Sequence, residues 1–159
     1  LSNDMIVMRT IEYIEQNPDV DYVVTQFTVP RRSTYYKNEW KSITPWTNNT
    51  QSRVFYKYLD SQELRNMNLW KNVYILDQYL RDIPHYFWRL SESSEETSTN
   101  ECIYKKLVPW SNMLTLYDLI GRPDSHPQHY VTGHPNRIGH DLISQHLQGV
   151  VPNISYQSS

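Results

Sequence analysis

The sequence predicts an α/β fold: a three-layer α/β/α sandwich around a mostly parallel sheet, in flavodoxin-like order. Three observations carry it. Residues 20–29, "VDYVVTQFTV", are β-branched and aromatic with little alternation, as expected of a strand covered on both faces. Residues 84–91, "PHYFWRLS", form a second such strand, with proline at its entry, where a missing N–H costs least. Segments with helical apolar spacing separate the two, which favours parallel pairing.

The elements follow in order. Ser2 or Asn3 caps a helix over 4–17, with Asp4 in its first turn and Val7, Ile11 and Ile14 on one face. Asn17-Pro18 stops that helix, and the strand over 20–29 follows, central and flanked on opposite faces by helices 4–17 and 69–82. Residues 30–50 show neither period and read as a long aromatic and basic loop. Residues 51–82 are helical, breaking near Asp60-Ser61, with Leu69, Val73, Leu76 and Leu80 as an apolar stripe. After the strand at 84–91, the acidic run 91–101 reads as a mobile surface loop, having nothing to bury. A short helix over 113–121 ends at Gly121. A His- and Pro-rich loop, 122–134, leads to a last helix over 135–148, carrying Ile138, Leu142, Ile143 and Leu147. Pro135 favours its first position, which makes His134 the expected N-cap.

The 159 residues are expected to form a single domain. A net charge of −2 gives no basic field for nucleic acid or an anionic membrane surface. Cys102 stands alone, so no intramolecular disulfide forms. No apolar run approaches the ~18 residues of a membrane span, and no signal-peptide pattern is visible; a cytoplasmic or virion-associated location is expected. The chain starts at Leu1 and runs almost at once into a helix, so a preceding portion carrying a first strand is expected.

Residues 134–143, "HPNRIGHDLI", and 2–32, "SNDMIVMRTIEYIEQNPDVDYVVTQFTVPRR", together resemble the SGNH (GDSL-type) hydrolases, most nearly those encoded by tailed phages. In that family a His-Pro pair opens the C-terminal helix, and a Ser-Asn stretch leads through a helix to a buried strand ending at the oxyanion loop. The resemblance implies hydrolysis of a small-molecule or glycan ester, such as a carbohydrate acetyl ester, with no metal or other cofactor. It carries His134 over as the base. The sequence departs from the family at the nucleophile, for it holds no Gly-Asp-Ser turn. Thr28-Val29-Pro30-Arg31 stands where the oxyanion asparagine is expected, and Val131 and Thr132 stand where the triad aspartate is expected.

Several residues then compete between chemistry and plain structure. A neutral His134 at a positive helix end would serve as a base, or it simply caps the helix. Asp124 is the substitute to orient it, or is only a solvated acid. Asp124, His126, His129 and His134 have metal-ligand chemistry but no established ligand spacing, so no metal site is expected. His140 is expected to pack with a hydrogen bond. Thr28 and Arg31 end the central strand, where ligands bind in open sheets, and Arg31 or Arg32 could hold an oxyanion. Ser2 is a capping residue before it is a nucleophile. The stretch 31–46, with Tyr35, Tyr36, Lys37, Trp40 and Trp46, either stacks on sugars or bases or packs against the sheet. Without the Gly-Asp-Ser turn, the chain by itself is expected to be inactive. The alternative class is a non-catalytic binding or structural module that keeps the fold, such as a virion component with a self-assembly partner.

Overall fold

Ser2 opens the first helix, α1 (Asn3–Gln16): its hydroxyl accepts from the Met5 amide at 3.3 Å, and Asp4 places a carboxylate in the first turn. The helix closes at Asn17, ahead of Pro18. The computed structural model describes residues 1–90, 102–110 and 113–151, in two compact units, Leu1–Met113 and Leu114–Ser159. The expected mobile loop at 91–101 lies outside the described residues.

In the first unit, β1 (Val23–Phe27) and β4 (His85–Arg89) pair in parallel, Val23 opposite His85 and Phe27 opposite Arg89. The fold is therefore mixed α/β with a small parallel sheet. Among the described residues the sheet has these two strands alone, so β1 is not the central strand expected. Nor is it covered on both faces. Val23, Thr25 and Phe27 are buried, whereas Val24 is 40% exposed and Gln26 is exposed. The reason is physical: a two-stranded sheet offers too little area to carry a helix layer on each face. Val7 and Ile14 of α1 instead join Leu69, Val73 and Leu76 in the one cluster that buries Val23 and Phe27.

The expected loop at 30–50 contains a hairpin, β2 (Ser33–Lys37) and β3 (Glu39–Ile43), antiparallel with Lys37 opposite Glu39. It turns at Asn38, whose φ of 62° lies in the left-handed region that asparagine tolerates. Tyr36 and Trp40 face each other across the strands, ring centroids 5.3 Å apart and edge-on.

The next stretch breaks where the sequence predicts. Asn49 caps α2 (Thr50–Tyr58), and Ser61 caps α3 (Gln62–Tyr79), each side chain accepting from the amide three residues on. Asp60, in the break, is gripped by Arg65, whose Nε lies 2.8 and 2.9 Å from its two oxygens. Leu69, Val73, Leu76 and Leu80 are all at most 1% exposed. A short helix, α4 (Ile103–Lys106), follows β4 in the described chain.

In the second unit, Thr115 and Asp118 form a reciprocal capping box on α5 (Leu116–Ile120), which ends at Gly121. A 3-10 turn, Pro127–His129, leads to a miniature antiparallel pair, β5 (Tyr130–Val131) and β6 (His134–Pro135). Thr132 (φ 48°) and Gly133 (φ 79°) turn between them, both positive as a type I′ turn requires. The last helix is α6 (Arg137–Val150), and its N-cap is Asn136, which accepts from the Gly139 amide at 3.2 Å. Two expectations are corrected here. His134 is not the cap, and Pro135 does not open the helix, because both residues are committed to pairing with Tyr130 and Val131. Among the described residues no helix is long and apolar enough to cross a membrane.

Candidate functional site

Thr28 directly follows β1 and is tied to the start of α1. Asn3, 1% exposed, accepts from the Thr28 amide at 2.8 Å and donates to the Thr28 carbonyl at 3.3 Å. The carboxyl end of β1 and the positive end of a helix thus meet within the first unit, the arrangement that receives ligands in open α/β sheets. Ser2 beside it is wholly buried, bonded to the Thr34 hydroxyl and to its own helix, so it is a structural cap. Arg31 is exposed in the turn beyond, where the Arg32 amide donates to the Val29 carbonyl at 3.2 Å. The single proton of the Tyr56 hydroxyl is shared between the Arg31 carbonyl and the Ile43 carbonyl, the latter at 3.1 Å. Burial, and next the nearby Asp60 charge, push the Tyr56 hydroxyl up to about 12.

Asp124 and His134 belong to the second unit, and both are exposed. Among the described residues, no hydrogen bond or ion pair joins them. Around them the loop is held by backbone-directed bonds. His129 Nδ1 meets the Ile120 carbonyl at 2.5 Å, Tyr130 donates to the Gly121 carbonyl, and Asn136 Nδ2 donates to the Gln128 carbonyl at 2.7 Å. Burial, with the adjacent Tyr117, holds the Tyr130 hydroxyl above its usual range. His126 and His129 stack at 5.2 Å. No group of three His, Cys, Asp or Glu side chains among the described residues is placed to hold a metal ion. His140 is exposed, which corrects the packing role expected for it.

A polar cluster in the first unit went unanticipated. Asp4 accepts from Asn68 at 3.1 Å, Asn72 at 3.1 Å and Lys71 at 3.3 Å, and Lys71 also donates to Asn68 Oδ1 at 2.7 Å. Burial raises the Asp4 carboxyl, but the Asn72 and Asn68 hydrogen bonds and the Lys71 charge outweigh it and hold it below the ordinary carboxylate range. The cluster lines a cleft of about 550 Å³ between α1, α3 and the hairpin, with Trp40 on the hairpin side. A signal for it exists in the sequence: Asn68 and Asn72, poor helix formers, sit four residues apart on one face of a long helix.

The chain matches no protein-family model, no curated protein and no solved structure.

Proposed function

We propose that the chain is the larger, C-terminal part of an SGNH-like hydrolase-type domain, a three-layer sandwich in its complete form, acting on a small-molecule or glycan ester. The observation that carries this reading is the junction at Thr28, where the end of a parallel strand is bonded to the first turn of α1 through Asn3. That bonding holds the positive end of α1 beside the strand end, the side on which an oxyanion would develop. Thr28 and Arg31 are assigned to the oxyanion side and His134, by the resemblance, to the general base; Asp124, exposed and with no bond to His134 among the described residues, is the carboxylate candidate to orient it. The nucleophilic serine belongs to a Gly-Asp-Ser turn that these 159 residues do not contain. In the reaction the base takes the serine proton as the hydroxyl attacks the ester carbonyl and returns it to the leaving alcohol; it then deprotonates a water that attacks the acyl-serine, releasing the acid as the proton goes back to the serine.

The test compares the chain with the polypeptide encoded together with whatever sequence precedes Leu1, using an activated acetyl ester. The longer polypeptide turns over, the chain alone does not, and His134→Ala lowers kcat by about 10³-fold or more with little change in stability. Turnover that survives His134→Ala overturns the assignment. A second reading, a binding or virion-assembly module that keeps the fold, is favoured by the exposed, unlinked Asp124 and His134. An inactive longer polypeptide selects it.

A further inference from the structure

We infer that the cleft of the first unit binds a neutral saccharide, stacked on Trp40 and hydrogen-bonded by Asp4, Asn68 and Lys71. Its volume, about 550 Å³, is that of a small-ligand pocket. Trp40 is 50% exposed, and Tyr36 braces its ring from the facing strand at 5.3 Å. A rigid, half-exposed indole presents a flat π face to the C–H side of a sugar ring.

The polar groups match hydroxyls rather than ions. Once the bonds within the cluster are made, Lys71 keeps one ammonium N–H, Asn68 one amide N–H and Asp4 Oδ2 one lone pair among the described residues. Donors and an acceptor side by side suit groups that both give and take a hydrogen bond. Charge points the same way. Asp4 is opposite Lys71 and Asp60 is opposite Arg65, so the lining is formally neutral and neither an anion nor a cation gains from entering. Val7, Met8 and Ile11 supply an apolar wall for the C–H edge of the ring or for an acyl methyl. The inference uses none of Thr28, Arg31, Asp124 or His134 and stands apart from the hydrolase reading.

The test is calorimetric titration of the intact chain with cello-, malto-, manno- and N-acetylchito-oligosaccharides, and with heparin fragments as the anionic contrast. A neutral oligosaccharide should bind, with affinity insensitive to salt. Trp40→Ala should weaken binding about tenfold or more, as the loss of a stacked aromatic predicts. Trp46→Ala, an exposed aromatic outside the cleft, should leave it unchanged. Asn68→Ala, which spares the hairpin, should also weaken binding should the Trp40 variant fail to fold. Silence across the neutral panel, binding of heparin alone, or affinity indifferent to both Trp40→Ala and Asn68→Ala overturns the proposal.

Discussion

Asn136 performs the capping task that the sequence leads one to give His134, and it also ties down the preceding loop. Its Oδ1 caps α6, and its Nδ2 holds the Gln128 carbonyl at 2.7 Å. Asn136→Ala should therefore cost about 1–2 kcal/mol, a lost cap plus an unpaired carbonyl. His134→Ala should stay within about 0.5 kcal/mol, since that side chain is exposed. Thermal melts of the two variants check this, and equal losses would return the capping role to His134. Tyr56 is the corresponding residue in the first unit, joining the turn at Arg31 to Ile43 at the end of β3. Tyr56→Phe should cost about 1 kcal/mol by chemical denaturation. Its folded value is raised, so its contribution is complete below the unfolded value of about 10 and is lost as pH rises towards about 12. The variant should lack that alkaline component.

Elements with strong local signals were legible. The apolar stripes of α1 and α3, the cap at Ser2 and the break at Asp60-Ser61 are all present, because 3.6-residue periodicity and capping are local chemistry. The hairpin was not, since its turn is a lone Asn38 without the Asn-Gly pair that marks such turns. β1 misled in another way: Val24 is apolar yet exposed, and Thr25 is polar yet buried, so burial alternates where hydropathy does not. The candidate site was legible only as residue types, because whether Asp124 meets His134 depends on loop geometry that no periodicity encodes. Two element contacts yield sharper tests. Alanine normally improves a helix interior by about 1 kcal/mol over glycine, but a Cβ on Gly139 would lie 2.6 Å from the His129 carbonyl oxygen. Backbone cannot yield cheaply, so Gly139→Ala should lower the melting temperature. Asp4 ties α1 to α3, and its folded carboxyl titrates below its unfolded value. Its contribution is therefore complete above about pH 4 and lost as pH falls further. Asp4→Asn should flatten the acid limb of the stability curve, and an unchanged limb would refute the assignment.

On the scale of the whole molecule, the first unit depends on one shared packing surface, supplied mainly by α3. The sheet has two strands among the described residues, fewer than stand alone in water. Its buried face is closed by Leu69, Val73, Leu76 and Leu80 of the α3 stripe, packed with Val7 and Ile14 of α1 against Val23, Phe27 and Phe87. Phe27 and Phe87 meet edge-on at 5.4 Å, so both strands share one packing surface. A cavity beneath it removes support from both at once. Leu76→Ala should cost about 2–5 kcal/mol, a large part of the roughly 5–15 kcal/mol that holds a domain together. Urea denaturation gives that figure, and native-state hydrogen exchange tests the organisation behind it. Amide protection at Thr25 in β1 and at Trp88 in β4, whose N–H faces β1, should fall together and by the same factor, since neither strand has another described partner. Loss confined to one strand would mean that the other is held by contacts outside this core.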